Sequence, residues 1–123
     1  MDIKKTRYKE IFKLEKMLKD AKIPYEFYEL DGGLRGAIPE WEHYHINYPS
    51  KDHCIISAIE GVGTYGAEQD RLEIMGGLTP YERFINDDAI VLGYLTAKNV
   101  FQRIKNDYER KLKEDEEDSK RSR

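Results

Sequence analysis

The sequence predicts an α+β protein: a small antiparallel sheet, made of a β-meander plus a short fourth strand, flanked by N- and C-terminal helices. Three observations carry this expectation. Apolar residues recur at helical spacing near both ends of the chain, they alternate with period two in between, and Gly, Pro, Asn and Asp punctuate the alternating stretches. A chain of 123 residues is the usual size of one domain. That domain is expected over residues 1–112, with a charged, disordered tail over 113–123.

Ile11, Leu14, Leu18 and Ala21, widened by Tyr8 and Phe12, form one helical stripe and predict a helix over residues 6–22. Pro24 stops it, because proline disfavours helical geometry in the residue before it and lacks an amide donor. Residues 25–30 alternate as a strand, Asp31-Gly32-Gly33 is a turn, and 34–40 reads as irregular. Residues 41–48 and 53–59 are the better strands, joined by Pro49-Ser50-Lys51-Asp52 as a hairpin. The expected register sets Tyr48 against His53, Ile46 against Ile55, Tyr44 against Ser57, Asn47 against Cys54 and His45 against Ile56.

A glycine-rich loop follows over 60–66, and residues 67–75 suit a short helix with Leu72 and Met75 on one side, ended by Gly76-Gly77. Thr79-Pro80-Tyr81-Glu82 is a helix start with threonine as cap, proline first and glutamate reaching back. Residues 89–95 form the fourth strand. Thr96 then caps a long helix with Val100, Phe101, Ile104, Tyr108 and Leu112 as its apolar stripe.

Composition narrows the function classes. The chain is 39% hydrophobic and 37% charged, which is polar for a globular domain, yet nine Tyr, four Phe and one Trp argue against general disorder. Its apolar runs are far shorter than the roughly 20 residues of a membrane span, and no signal-like core follows the basic N-terminus. Membrane association is therefore not expected. Cys54 is the single cysteine, which fits a reducing compartment and a cytosolic protein. The net charge of −3 is partitioned: +4 over residues 1–22, −9 over 23–95 and +2 over 96–123. Duplex DNA is not an expected partner, because the body of the protein is acidic. Trp41 and the long last stripe leave apolar area that a small sheet does not cover, so a homo-oligomer is expected.

The most specific local feature is Gly61-Val62-Gly63-Thr64-Tyr65-Gly66 running into the short predicted helix. Free amides there attract anions, so Gly61, Gly63, Thr64, Tyr65 and Gly66 are candidate ligand-binding residues, with Arg71 one turn on as a bidentate phosphate contact. Neither the dinucleotide fingerprint nor the Walker pattern is matched, and a plain tight turn accounts for the same residues. Arg103, at the edge of the last stripe, either reaches a pocket or lies over apolar surface. His43 and His45 share one side of a strand with Cys54 in the expected register, but a zinc site needs three or four ligands, and exposed histidines are the simpler account. Glu68, Asp70 and Glu73 read as helix-capping acids. No nucleophile, base pair or metal set emerges, so neither enzymatic activity nor a cofactor is expected.

The run Gly63-Thr64-Tyr65-Gly66-Ala67-Glu68-Gln69-Asp70-Arg71-Leu72-Glu73-Ile74-Met75-Gly76-Gly77-Leu78-Thr79-Pro80, followed by Gly93-Tyr94-Leu95-Thr96-Ala97 and Val100-Phe101, resembles a family of small proteins encoded by phages and prophages of Firmicutes. The resemblance extends over most of residues 8–108, through the Lys22-Ile23-Pro24-Tyr25 segment and the Tyr48-Pro49-Ser50 hairpin. It implies an accessory phage protein acting in the host cytosol. Small non-enzymatic phage proteins often counter host defence. The resemblance and the loop together make the preferred expectation a protein that sequesters a cyclic or ADP-ribose-type nucleotide signal, with tyrosines stacking on the base and Arg71 and Arg103 on phosphates. The alternative is an inhibitor of a host defence protein or nuclease, with the acidic middle segment imitating nucleic acid.

Overall fold

The computed structural model describes residues 8–30 and 43–121. Five strands, β1 (Glu26–Leu30), β2 (His43–Tyr48), β3 (Ile56–Gly61), β4 (Leu72–Met75) and β5 (Val91–Leu95), form one open sheet in chain order, every neighbouring pair antiparallel. Helix α1 (Glu10–Asp20) packs on β2 and β3, and α3 (Ala97–Arg121) packs on α1 and β4. Both helices therefore cover the same face. A one-and-a-half-turn helix, α2 (Pro80–Ile85), joins β4 to β5. No helix among the described residues is long and apolar enough to cross a membrane.

The core lies between the two long helices and the sheet. Ile11, Leu14 and Leu18 of α1 and Val100 and Ile104 of α3 meet Tyr44, Ile46, Ile56, Ala58, Leu72 and Ile74, all buried. Phe12 and Tyr44 pack edge to face at 4.9 Å, and Tyr8 and Phe27 complete the aromatic group. α1 ends before Pro24 as expected. Lys22 adopts φ 58 and the amide of Ile23 closes back on Leu18 O at 3.0 Å, the arrangement that usually places glycine after a helix.

Three expectations are corrected. The hairpin is slipped by three residues: Tyr48 faces Ile56, Ile46 faces Ala58, Tyr44 faces Glu60, Asn47 faces Ser57 and His45 faces Ile59. Residues 49–55 form the connection, closed by Ile55 N to Tyr48 O at 2.7 Å and His53 N to Ser50 Oγ at 3.2 Å. Ile55 and Ile56 are adjacent and equally apolar, so alternation alone does not choose between them, and a slip of an odd number turns every side chain over. Residues 67–75 are not a helix. A single 3-10 turn, Ala67–Gln69, stops at Asp70, whose φ of 54 leaves helical space, and β4 follows with Leu72 and Ile74 inward. Pairing to β3 on one side and β5 on the other outweighs local propensity there. Finally, α3 continues through the charged segment to Arg121. Its Glu and Lys residues are good helix formers, and Arg110 bridges Asp107 at 2.7 Å and Glu114 at 2.6 Å. The expected turn at 31–33, the irregular stretch 34–40 and Trp41 lie outside the described residues.

Candidate functional site

The glycine loop is a self-satisfied turn. Gly61 ends β3, and Thr64 locks it: Thr64 Oγ1 donates to Gly61 O at 2.8 Å and accepts from Gly61 N at 3.2 Å, while Thr64 N reaches the same carbonyl at 3.1 Å. Gly66 O accepts from Gln69 N and Arg71 N, and Tyr65 N donates to the Glu73 carboxylate at 2.8 Å. Gly66, at φ +100, passes so close to β5 that a Cβ would sit 2.9 Å from the backbone of Tyr94, and one on Gly93 would meet Tyr65. Packing thus explains these two glycines. Gly63, at φ +86, faces open space.

With no helix after the loop, the amides that would have drawn an anion to a helix terminus are absent. Arg71 Nη1 is engaged with the carbonyls of Gln69 and Asp70 at 3.3 and 3.0 Å. The structure nevertheless brings Tyr65, Tyr94 and Arg71 together around Gly66, with both tyrosines exposed. Glu68, within 3.5 Å of the Tyr94 hydroxyl, and Glu73 supply negative charge beside them.

Arg103 does not join this group. Its guanidinium grips Glu82 with two parallel bonds of 2.7 and 2.6 Å, donates to Gly77 O at 2.9 Å, and its Nε donates to Asn99 Oδ1 at 2.7 Å. Glu82 also completes the expected capping box, accepting from Thr79 N at 2.9 Å while Thr79 Oγ1 accepts from Glu82 N at 3.1 Å. The Arg103 bonds, more than any other cause, hold the Glu82 carboxyl down at about 2. The clamp fixes α2 to the start of α3.

What α2 presents is apolar and uncovered. None of its residues is buried, and Tyr81, Phe84 and Ile85 are 69%, 79% and 56% exposed. Their i, i+3, i+4 spacing puts them on one side of the helix. Ile90, where the chain enters β5, is also exposed. The apolar triplet behind the capping box is present in the sequence, but one and a half turns give too short a period to mark an exposed face.

Two clusters lie elsewhere. On the sheet face opposite the helices, the Tyr28 ring stacks on His45 at 4.7 Å, Lys51 sits 4.3 Å over Tyr28, Ser57 donates to Asn47 at 3.2 Å, and Asn47 donates to Tyr28 OH. His43 Nε2 lies 2.6 Å from Val62 O and must donate to it, because a carbonyl only accepts. Burial first, then the neighbouring His43 and Lys51, hold His45 down at about 4. Cys54 does not join the histidines, since it lies in the 49–55 connection, and no group of three or more metal-ligating side chains forms among the described residues.

Beneath the helices, Glu60 is fully buried and accepts from Ile11 N at 3.1 Å, while Asp70 Oδ1 accepts from Lys9 N and Glu10 N at 2.7 and 3.0 Å. These two carboxyls cap α1, which has no side-chain cap of its own. Glu10 in turn caps α3 through Ala97 N. Burial and the adjacent Asp70 push Glu60 up to about 9, and its Oε2 is buried without a hydrogen-bond partner among the described residues. Asp70, not Glu68 or Glu73, is the acid that caps a helix.

Comparison with family models, with curated proteins and with solved structures finds no match to this chain.

Proposed function

We propose that this is a non-enzymatic binding protein whose working surface is the α2 face, and that it acts by docking on another protein. In the phage setting implied by the sequence resemblance, such a protein blocks a host defence component. One observation carries the reading: α2 buries nothing, yet it is capped and clamped so that three large apolar side chains point outward. Apolar and aromatic anchors on a fixed helix are the pattern of a protein-binding hot spot, whereas α2 contributes nothing to the core. Affinity capture from host cells tests it. The wild-type chain is expected to retain a stoichiometric partner that Phe84→Glu loses, and equal capture by both forms would remove α2 from the interface.

A second reading, nucleotide sequestration, draws on the convergence of Tyr65, Tyr94 and Arg71. Two accessible rings beside a guanidinium suit a base and a phosphate. Calorimetric titration with cyclic dinucleotides and ADP-ribose derivatives tests this directly, with Arg71→Ala expected to weaken binding by about 1.5–3 kcal/mol. Absence of heat across the panel would leave the protein-docking reading alone.

A further inference from the structure

We infer that β5 pairs with β5 of a second copy of this chain about a twofold axis at Leu92, joining the two sheets into one. The inference stands apart from the reading of α2, since it rests on main-chain groups and not on the α2 side chains. β5 is the last strand of the sheet, and no strand among the described residues pairs with its outer side. The bonds that β5 already makes show which of its groups are free. Gly76 N donates to Ile90 O at 2.9 Å, Leu92 lies opposite Ile74, and Tyr94 N donates to Tyr65 O at 3.2 Å. Residues 90, 92 and 94 therefore direct their main-chain groups inward. Successive residues of an antiparallel strand alternate in this respect, which leaves the N–H and C=O of Val91 and Gly93 on the open edge.

Two features name the occupant. The opposite edge, β1, carries the exposed charges of Glu26 and Glu29, whereas β5 has no charged residue and no proline, the usual guards of an edge against further pairing. An uncharged row of free amides and carbonyls calls for another strand. Its symmetry calls for the same strand. A twofold at Leu92 sets Val91 opposite the partner's Gly93 and Gly93 opposite the partner's Val91, each pair exchanging two N–H···O bonds, so that all the free groups of both residues are satisfied. An axis at Val91 would instead set Gly93 against Ala89, whose amide already donates to Asn86 O at 3.0 Å. An axis at Gly93 would set Val91 against Leu95, past the point where pairing with β4 shifts register. The axis at Leu92 also brings the strand end carrying Ile90, 53% exposed, beside the end carrying the partner's Tyr94, 54% exposed. Tyr94, at φ 62, breaks the strand geometry and confines the pairing to three residues, which gives a reversible dimer rather than a permanent one.

The test is the solution mass over a concentration series, from low micromolar to near millimolar, with amide exchange followed residue by residue at both ends of the series. The wild-type mass is expected to rise from that of the protomer toward twice that value, while the Val91 and Gly93 amides slow together by at least about tenfold. Val91→Pro removes an outward amide that β4 does not use, and should weaken the association at least about tenfold, the equivalent of one hydrogen bond lost by each protomer. Val91→Lys keeps that amide but places a charge on the edge, and should weaken the association as well. Melting temperatures establish that each variant is folded. Wild-type chains that stay monomeric throughout would overturn the inference. A dimer whose Val91 and Gly93 amides exchange as fast as those of the monomer would overturn it too, as would a dimer that neither substitution weakens.

Discussion

Glu60 shows how one residue ties distant elements together. Its side chain is fully buried and reaches the first turn of α1 through Ile11 N, and burial together with the Asp70 carboxyl beside it favours its neutral form. The folded protein keeps the Glu60 proton up to about pH 9, whereas an unfolded glutamate releases it near 4.5. Folding therefore takes up a proton between those values, so the stabilisation from protonated Glu60 is complete below about 4.5 and fades as the pH rises toward 9. Glu60→Gln keeps an acceptor for Ile11 N and sets an uncharged group beside Asp70, without the titration. It is expected to stabilise the protein at pH 8 by about 1–3 kcal/mol and to flatten the dependence of urea unfolding on pH between 5 and 9. Glu60→Leu, which leaves the buried Ile11 amide without its partner, should lower stability at every pH. None of this is legible in the sequence, where Glu60 opens the glycine-rich loop expected over 60–66 and Asp70 falls in an expected helix that does not form.

Among the elements, α2 depends most on a single contact. With no buried residue, its position rests on the Arg103–Glu82 clamp and on the Thr79 cap that shares the same carboxylate. Arg103→Ala should speed amide exchange across residues 82–86 by about 10- to 100-fold, the equivalent of one or two charge-assisted bonds, while amides in β2 and β3 change far less. Acid should act similarly. Glu82 has its folded value lowered to about 2, so the clamp contributes fully above about 4.5 and is lost as the pH falls through 2. The cap of α2 was legible because threonine, proline and glutamate lie within four residues. The clamp was not, because it joins positions 21 apart. β4 was hidden for a similar reason: four residues give too short an alternation to outvote a neighbouring turn, and both pairing partners come from elsewhere in the chain.

At the scale of the whole molecule, two helices on one face of an open meander leave the opposite face polar and set α2 at the β5 end of the sheet. The outer part of α3 adds length rather than core, as every side chain over residues 112–118 is exposed. Deleting residues 114–123 should therefore shift the melting temperature by no more than about 2 °C. Phe84→Glu should be equally silent in stability, within about 0.5 kcal/mol, since the ring touches solvent rather than core. The proposal that Phe84 serves contact with another protein is the claim most worth testing. A photo-crosslinking amino acid placed at position 84, compared in living cells with one at exposed position 98 on α3, tests it directly. The account predicts a discrete covalent protein adduct from position 84 and none from 98; equal labelling at both positions, or adducts from 98 alone, would contradict it.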